Sequence, residues 1–503
     1  MEDNDERNDK KKLINLIRGW PSPHLLPAEL LRAAANKALA DPAVYVPGLQ
    51  YGPDPGYQPL REELAAWLGC AYKSSYRPQS QNPLPGGSTV VGVGVGVGAG
   101  ADQICITGGA SQSIACILQS FTDPAYTRAV WAVAPCYFLA CPIFEDAGFR
   151  GRLRAVPEDD EGIDLEWLER GIKRCEAERG SEEKPYKDPG PHRKFYRHVI
   201  YAVPTSANPS GKTMSLRRRE GLVRLAREHD ALVICDDVYD FLQWPVLAAS
   251  PSPSSIPHAL PLPQPLLPRL SDIDLALGGP TRHDPARKHF GHAISNGSFS
   301  KLVGPGVRTG WTHSTADFAL GVSQTGSTRS GGAPSQIAAA VVHQLLASGD
   351  LDAHLDRAVR PALQRRHARA AAAVKAELGW AGVEVLERSS SGSDDGAMFG
   401  GYFLWLTLPG DGPRADEVAM RAQAEENLVV APGSSFEVSG DEVGQVRFPR
   451  NLRICYSWEE EDDIVEGIRR LGIVLRRLRD GTELPASELA GKWKPVGTAG
   501  GFK

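Results

Sequence analysis

The chain has 503 residues, more than one hydrophobic core usually serves, so we expect one large and one smaller domain. A hydrophobic content of 42% and a charged content of 23% are typical of globular proteins, and a net charge of −5 provides no basic field for nucleic acid. The charged N-terminus, residues 1–12, contains no apolar signal region and is expected to be disordered, and no apolar stretch is long enough to span a membrane.

The first predicted elements belong to an N-terminal segment, residues 13–68. A helix is predicted over Ala28–Ala40, directly after Pro27. The Gly- and Pro-rich run 51–61 opens a second helix that continues to Trp67. By local chemistry alone the run is also consistent with a surface turn.

Residues 69–102 interrupt this pattern with polar residues and a Gly/Val run. A dinucleotide-binding fingerprint needs glycines at i, i+2 and i+5, whereas the glycines over residues 92–100 occupy only even positions, so no register fits. We interpret the segment as a low-complexity insertion that is peripheral to the fold.

Strands and helices alternate over residues 103–346, which predicts a parallel sheet in a large α/β domain. The predicted strands are residues 103–107, 129–134, 198–203, 231–235 and 291–296. The predicted helices are residues 110–121, a helix starting at Pro135, and residues 164–175, 215–228 and 334–346.

A second insertion, residues 245–290, is Pro- and Ser-rich and is also interpreted as irregular and peripheral. His283, His289 and His292 cluster near its end, but without Cys or carboxylates at ligand spacing they do not predict a metal site. Eight cysteines without paired spacing indicate free thiols in a reducing compartment, so we expect a cytoplasmic chain.

The C-terminal part, residues 347–480, has the mixed pattern of a smaller α+β domain, which the N-terminal segment is expected to complete. Its predicted helices are residues 351–378, 416–425 and 459–478, and its predicted strands are residues 383–386, 402–408, 429–430 and 452–455. The polar tail, residues 481–503, is expected to be disordered.

The most informative motif surrounds Lys301, which lies between hydroxyl residues and precedes a Gly-Pro-Gly turn and Arg308. A desolvated lysine can form a Schiff base with an aldehyde cofactor. Ser298 and the guanidinium fork of Arg308 are natural donors to a phosphate. Taken alone, the motif also fits a surface lysine in a Gly-rich loop.

Two further motifs follow predicted strands. Gly108-Gly109 leads into a helix that begins with Ala110 and Ser111, whose free backbone N–H groups and dipole would bind an anion; no Gly-Lys-Ser/Thr sequence indicates a nucleotide P-loop. Asp236 ends another strand, at the edge where ligands of open α/β sheets bind.

In chain order, these motifs resemble those of fold-type I pyridoxal 5′-phosphate (PLP) enzymes, specifically class I/II aminotransferases of the aminoadipate and aromatic type, over about residues 13–477. The resemblance implies a large domain with a mostly parallel central sheet and a smaller α+β domain. It also implies a homodimer that transfers an amino group from an L-amino acid, aromatic or 2-aminoadipate-like, to a 2-oxo acid such as 2-oxoglutarate. No nucleic acid or membrane partner is implied.

The resemblance also assigns roles around the cofactor ring. Lys301 would carry PLP and move the substrate's α-proton, and Asp236 would pair with the pyridine nitrogen, with Asp237 as the competing candidate. The Asn208-Pro-Ser-Gly turn would bring its Asn side chain to the cofactor O3′, together with Tyr239. Tyr137 would stack on the ring.

The remaining assignments concern the phosphate and the substrate. The resemblance gives the phosphate to Ala110 N–H, Ser111, Ser298 and Arg308, and to Tyr51 of the neighbouring subunit. Ala110 and Cys136 replace hydroxyl residues common in relatives, so one phosphate hydroxyl is absent. Arg453 would hold the substrate α-carboxylate, while Arg18 and Trp20 would contact its side chain.

Two alternatives stay open at this stage. Other PLP reactions, such as elimination, C–C bond formation or oxidation, use the same residues. Aminotransferase-like domains also serve as ligand sensors fused to a winged helix. Only about a dozen residues precede the matched region, which disfavours such a DNA-binding module.

Overall fold

The computed structural model describes residues 11–72, 100–178, 184–246, 259–263, 266–332, 334–386, 398–441 and 446–481. Three predicted features therefore lie wholly or mostly outside the described residues: the charged N-terminus, the Gly/Val run and the C-terminal tail. Helices α1–α14 are, in order, Ala28–Ala40, Pro42–Gly48, Gln58–Tyr72, Ala110–Phe121, Cys141–Phe144, Leu165–Glu178, Leu216–Glu228, Leu270–Leu277, Ala316–Ser323, Gln336–Ala347, Asp350–His354, Arg360–Leu378, Ala415–Glu426 and Glu461–Arg479.

Strands β1–β16 form one large sheet and three smaller ones within the described residues. They are, in order, Ile14–Asn15, Ile104–Thr107, Ala129–Ala134, Leu153–Asp159, Gly162–Ile163, His198–Ala202, Ala231–Asp236, Gln243–Pro245, Ala293–Ser298, Gly310–His313, Glu384–Val385, Met398–Gly400, Phe403–Thr407, Leu428–Val429, Ala431–Pro432 and Asn451–Cys455.

The large sheet has eight strands in the order β2-β10-β9-β7-β6-β3-β4-β5. The five strands from β9 to β4 are mutually parallel, whereas β10 runs antiparallel between β2 and β9. Strands β6 and β7 are buried along their whole length, as expected for parallel strands with helices on both faces. The predicted α/β fold with a mostly parallel sheet is therefore confirmed.

Two apolar layers cover this sheet. One contains Ile114 and Ile117 of α4 with Phe318 of α9. The other contains Leu168 of α6 and Leu222 of α7. With both faces covered by helices, only the edges and the strand ends remain to form a site.

The smaller domain has a four-stranded antiparallel sheet in the order β11-β13-β16-β15, against which α12–α14 pack. The N-terminal segment joins this part of the chain, because β1 pairs in parallel with β14 and Ile14 and Leu16 enter the same apolar core. The segment then continues toward the large sheet, so it lies between the two domains.

Several sequence-based boundaries are wrong. The helix predicted to stop at Trp67 continues to Tyr72, which is buried. The helix predicted to start at Pro135 begins only at Cys141. The backbone N–H of Cys136 donates to Phe436 O at 2.8 Å, so this stretch is a loop anchored to the smaller domain.

Strands β4 and β10 and helix α9 were not predicted. Strand β4 carries Arg154 and acidic residues, and β10 comes directly after the Gly-rich lysine motif, so neither has the apolar alternation that marks a strand. Pairing with the neighbouring strands of the sheet, rather than local propensity, stabilises them.

The interpretation of residues 245–290 as irregular and peripheral is wrong for their second half. Helix α8 buries Leu270 and Ile273 against the sheet. Its Asp274 accepts backbone hydrogen bonds from His292 at 2.6 Å and Ala293 at 3.2 Å, just where β9 begins. Thus α8 fixes the start of the strand that leads to Lys301.

We expect Asp274→Ala to destabilise the protein by about 3–5 kcal/mol, because Asp274 is buried and also forms a 2.6 Å ion pair with Arg227. The free energy of unfolding in urea would measure this loss. Asp462→Ala is the control, since Asp462 is an exposed carboxylate paired with Arg369 and should cost no more than about 1 kcal/mol. Equal losses in the two variants would show that α8 is peripheral after all.

Candidate active site

A cavity of about 250 Å³ opens where the C-terminal ends of the parallel strands meet the smaller domain and the N-terminal segment. Every predicted site residue except Tyr51 lines it. These residues are Arg18, Trp20, Ala110, Ser111, Tyr137, Asn208, Asp236, Tyr239, Ser298, Lys301, Arg308 and Arg453. They come from seven separate stretches of the chain, so the fold itself assembles the cavity.

Lys301 follows β9 and reaches into the cavity. Its Nζ donates to Gly19 O at 2.6 Å and lies 5.4 Å from the ring centre of Tyr402. Burial disfavours the ammonium form and lowers the pKa of Lys301 to about 8, although the charge of Asp236 acts in the opposite direction. A neutral amine is therefore accessible near physiological pH, as a nucleophile or a general base requires.

Asp236 is the last residue of β7 and is buried beside the cavity. Its Oδ2 accepts a hydrogen bond of 2.8 Å from the Tyr201 hydroxyl, while its Oδ1 has no partner among the described residues. Burial raises the pKa of Asp236 to about 6. A buried oxygen without a donor fits a protonated ring nitrogen such as that of PLP.

The neighbouring Asp237 does not line the cavity. Successive residues of a strand point to opposite sides, and the Asp237 carboxylate is influenced by the charges of Asp240, Arg219 and Arg269. Burial and the charge of Asp240 raise its pKa. Asp236, rather than Asp237, therefore faces the cavity.

Groups that can donate hydrogen bonds to a phosphate lie together at the other end of the cavity. Helix α4 begins at Ala110, and Arg308 donates from Nη2 to Gly108 O at 2.6 Å. Gly109 has a φ of 98°, and a Cβ there would lie 2.5 Å from Arg308 Nη2, so only glycine allows this approach. The Ser300 N–H donates to Ser298 Oγ at 3.1 Å, which brings two hydroxyls to the same place. The helix N-terminus, the guanidinium and the hydroxyls together suit a phosphate dianion.

Arg453, on β16, is a buried cation. It donates from Nη1 to Asn208 Oδ1 at 2.8 Å and from Nη2 to Ile17 O at 2.5 Å, and its guanidinium lies 4.2 Å from the Phe403 ring centre. No carboxylate of the described residues lies within ion-pair distance, and Nε has no partner there. Burial therefore lowers the pKa of Arg453. A buried guanidinium with no counterion is suited to an incoming carboxylate.

The N-terminal segment covers the cavity through its backbone. The carbonyls of five successive residues, 16–20, accept hydrogen bonds from the Cys455 N–H, Arg453, the Cys455 thiol, Lys301 and the Ser457 hydroxyl. This run of contacts holds the segment across both domains.

The same contacts fix the position of Arg18. Its guanidinium lies 5.6 Å from the ring centre of Trp20 and 5.3 Å from that of Trp458. Sequence reasoning missed Trp458, because nothing local links it to residues 440 positions earlier. It also missed Ser300 and Tyr201, although Ser300 lies in the lysine motif itself.

Two predicted tyrosines, Tyr137 and Tyr51, differ in their position relative to the cavity. Tyr137 lines the cavity from the loop after β3, and burial raises its pKa to about 12. Tyr51 is 85% exposed and lies outside the cavity within one chain.

Sequence comparison identifies the class to which this fold and site belong. A family profile described as "Aminotransferase class I and II" matches residues 28–471, so the chain belongs to this family. It is therefore a pyridoxal 5′-phosphate-dependent transaminase, which acts on an amino acid and a 2-oxo acid.

Individual relatives agree with that class. The chain is 34% identical, over 93% of its length and 98% of the relative's, to the uncharacterized protein YER152C of Saccharomyces cerevisiae. It is 27% identical to the 2-aminoadipate transaminase of Thermus thermophilus, over 93% of this chain and 91% of that one. The crystal structure of Pyrococcus horikoshii kynurenine aminotransferase is similar with a TM-score of 0.66 and 25% identity, covering 96% of this chain and 95% of that one.

Within the described ranges, no group of three or more His, Cys, Asp or Glu side chains could hold a metal ion. His292 of the predicted histidine cluster has both ring nitrogens engaged, with Ala231 O at 2.9 Å and the Thr281 hydroxyl at 3.0 Å. No helix in the described part of the chain is long and apolar enough to cross a membrane.

We expect Lys301 of the cofactor-free protein to react with PLP increasingly as the pH rises through about 8, because only the unprotonated amine is nucleophilic. Brief exposure to PLP, borohydride reduction and peptide mass spectrometry would measure labelling at each pH. Lys173 is the control, since its hydrogen bond to Glu169 raises its pKa and it should remain little labelled over the same range. Preferential labelling of any other lysine would contradict the assignment.

Proposed function

We propose that this transaminase moves the amino group of an aromatic or 2-aminoadipate-like L-amino acid to 2-oxoglutarate. The observation that carries the proposal is the pair of guanidinium groups in one cavity. Arg453 is buried with no counterion among the described residues, and the Arg18 guanidinium packs beside the indole rings of both Trp20 and Trp458. One cation suits the α-carboxylate common to all substrates, and the other suits a distal carboxylate.

In this proposal the cofactor is held at both ends. The backbone N–H of Ala110, the hydroxyls of Ser111, Ser298 and Ser300, and the Arg308 guanidinium bind its phosphate. The free Oδ1 of Asp236 holds the proton on the pyridine nitrogen, and Tyr137 stacks on the ring. Asn208 and Tyr239 are directed to the ring hydroxyl. PLP, when bound, supplies an electron-accepting ring that stabilises negative charge at the substrate α-carbon.

Lys301 has two tasks in this scheme. It anchors the cofactor covalently, and once a substrate amine displaces it, the free amine moves the α-proton. The lowered pKa of about 8 leaves a useful fraction of neutral amine near neutral pH while its conjugate acid can still return the proton. Its contact with Gly19 O keeps the amine under the N-terminal segment.

Two features support a choice of side chains that are either aromatic or acidic. Trp20 and Trp458 provide flat apolar surfaces, with ring centres 5.6 Å apart in an edge-to-face arrangement. The guanidinium of Arg18, which packs beside both rings, can pair with a carboxylate. Relatives named as an aromatic-amino-acid aminotransferase and a 2-aminoadipate transaminase support both halves of this proposal.

The reaction is tested by a half-reaction without acceptor. Mixing the PLP-loaded protein with 2-aminoadipate or phenylalanine should yield pyridoxamine 5′-phosphate and the matching 2-oxo acid, both measured by mass spectrometry, and 2-oxoglutarate should restore PLP. Release of ammonia or loss of the substrate side chain without pyridoxamine phosphate would indicate a different PLP reaction.

In the same assay, Arg18→Ala should lower kcat/KM for 2-aminoadipate more than kcat/KM for phenylalanine. The difference should correspond to a loss of about 1.5–3 kcal/mol of transition-state stabilisation, because one charge-assisted contact is lost. Arg32→Ala removes an exposed arginine of α1 and serves as the control. An equal effect of Arg18→Ala on both substrates would exclude Arg18 as the group that recognises the side-chain charge.

We also propose that the enzyme is a homodimer in which Tyr51 reaches the phosphate of the partner subunit. Support comes from a run of exposed apolar side chains near the N-terminal helices: Leu39 at 51%, Val46 at 49%, Leu49 at 61% and Tyr51 at 85% exposed. Large side chains grouped in this way usually meet a partner. A reducing, cytoplasmic compartment is proposed from the eight cysteines, none of which forms a disulfide, and imaging of the tagged chain would test it.

Tyr51→Phe should weaken PLP binding by about 1.5–3 kcal/mol, since one hydrogen bond to a charged group is lost, while sedimentation still shows a dimer. Tyr186→Phe, at an equally exposed tyrosine, should leave PLP binding unchanged. A fully active monomer would refute the proposal.

A further inference from the structure

Behind the cavity, one phenol touches the carboxylate that faces the ring nitrogen. The Tyr201 hydroxyl donates to Asp236 Oδ2 at 2.8 Å, and both side chains are buried. Asp236 lines the cavity and Tyr201 does not, so the phenol supports the carboxylate from the protein side. The other carboxylate oxygen, Oδ1, is left without a partner among the described residues.

We propose that Tyr201 is a positioning residue that keeps the Asp236 carboxylate ionised and leaves its Oδ1 free for the protonated pyridine nitrogen of the cofactor. This inference rests on the proposed assignment of Asp236 to that nitrogen. It concerns a residue of the central sheet that no local sequence motif identifies.

Asp236 needs such support because burial disfavours its ionised form. Burial raises the pKa of Asp236 most, the Tyr201 hydrogen bond and the Lys301 charge lower it, the Asp240 charge raises it, and the net value is about 6. A protonated carboxyl could not hold the positive charge of a pyridinium. The other titratable groups facing this pair are Cys136, Tyr137 and Tyr239, with Arg453 beyond them.

Tyr201 is the steadier of the two stabilising groups. Lys301 loses its positive charge as the pH passes about 8, and its amine is consumed when it anchors the cofactor. Burial raises the pKa of Tyr201 well above that of a free phenol, so its hydroxyl stays a donor at every working pH. The hydrogen bond therefore persists when the lysine charge does not.

Packing also holds the hydroxyl in place. Tyr201 belongs to the apolar core under α4, and its ring meets Phe144 edge to face with centres 5.6 Å apart. A Phe at position 201 would keep this ring contact and remove only the donor. Tyr196 offers a matched control, because it is equally buried and its hydroxyl donates to Gly291 O, away from the cavity.

The test measures binding of 4′-deoxypyridoxine 5′-phosphate, which has the ring and phosphate but no aldehyde to react with Lys301. Its Kd for the cofactor-free full chain is determined between pH 5 and pH 8. The phosphate of the probe also titrates at about pH 6, so each Kd is divided by that of Asp236→Asn at the same pH, which removes this common effect. Because pairing requires ionised Asp236, the affinity advantage of the wild type over Asp236→Asn should decline as the pH falls through about 6. The midpoint of this decline should move upward by about one pH unit in Tyr201→Phe and should keep the wild-type value in Tyr196→Phe.

Each outcome separates the two assignments. A wild-type midpoint in Tyr201→Phe would overturn the role of Tyr201 and keep that of Asp236. If the wild type has no pH-dependent affinity advantage over Asp236→Asn, both assignments are overturned. If Tyr201→Phe does not fold, 3-fluorotyrosine at position 201 provides a stronger donor of the same shape, and the midpoint should then move downward.

Discussion

Removal of three charged side chains from water is the constraint on which this molecule depends. Lys301, Asp236 and Arg453 share one cavity, and burial favours the neutral form of each. It lowers the pKa of Lys301 and Arg453 and raises that of Asp236. Their direct hydrogen bonds go to backbone carbonyls, an amide and a phenol rather than to one another. Each is thus left able to engage a group on a ligand: an aldehyde carbon, a ring proton and a carboxylate.

The two domains divide this work. The parallel sheet positions Asp236 at the end of β7 and Lys301 just after β9, so neighbouring strands place these two side chains in the cavity. Arg453 comes from the antiparallel sheet of the smaller domain. Since the buried groups of the cavity come from different domains, the contact between the domains determines the geometry of the cavity.

The N-terminal segment couples these parts. Its β1 strand joins the smaller domain, and its following carbonyls contact Arg453 and Lys301 in turn. The segment therefore contacts one buried group from each domain. Arg18 and Trp20 belong to the same short segment and line the same cavity.

Alternation of strands and helices predicted the α/β class, and a few local turns together with the family resemblance predicted most of the candidate site. The Gly109–Ala110 helix start, the turn at Asn208 and the hydroxyl-lysine motif at Lys301 each depend on a few adjacent residues, and each lies in the cavity. Their order along the chain then carried the resemblance to aminotransferases. Spacing of this kind is visible in a sequence because turns and helix starts are local structures.

The tertiary structure decided which side chains from distant parts of the chain contact one another. Asp236 lines the cavity and Asp237 does not, because successive side chains of a strand point to opposite sides. Tyr201 contacts Asp236 because β6 pairs with β7. Trp458 reaches Arg18, and α8 holds the start of β9, through contacts between residues far apart in the chain. Long-range packing buries these groups and selects their partners, and no pattern within ten or twenty residues encodes that choice.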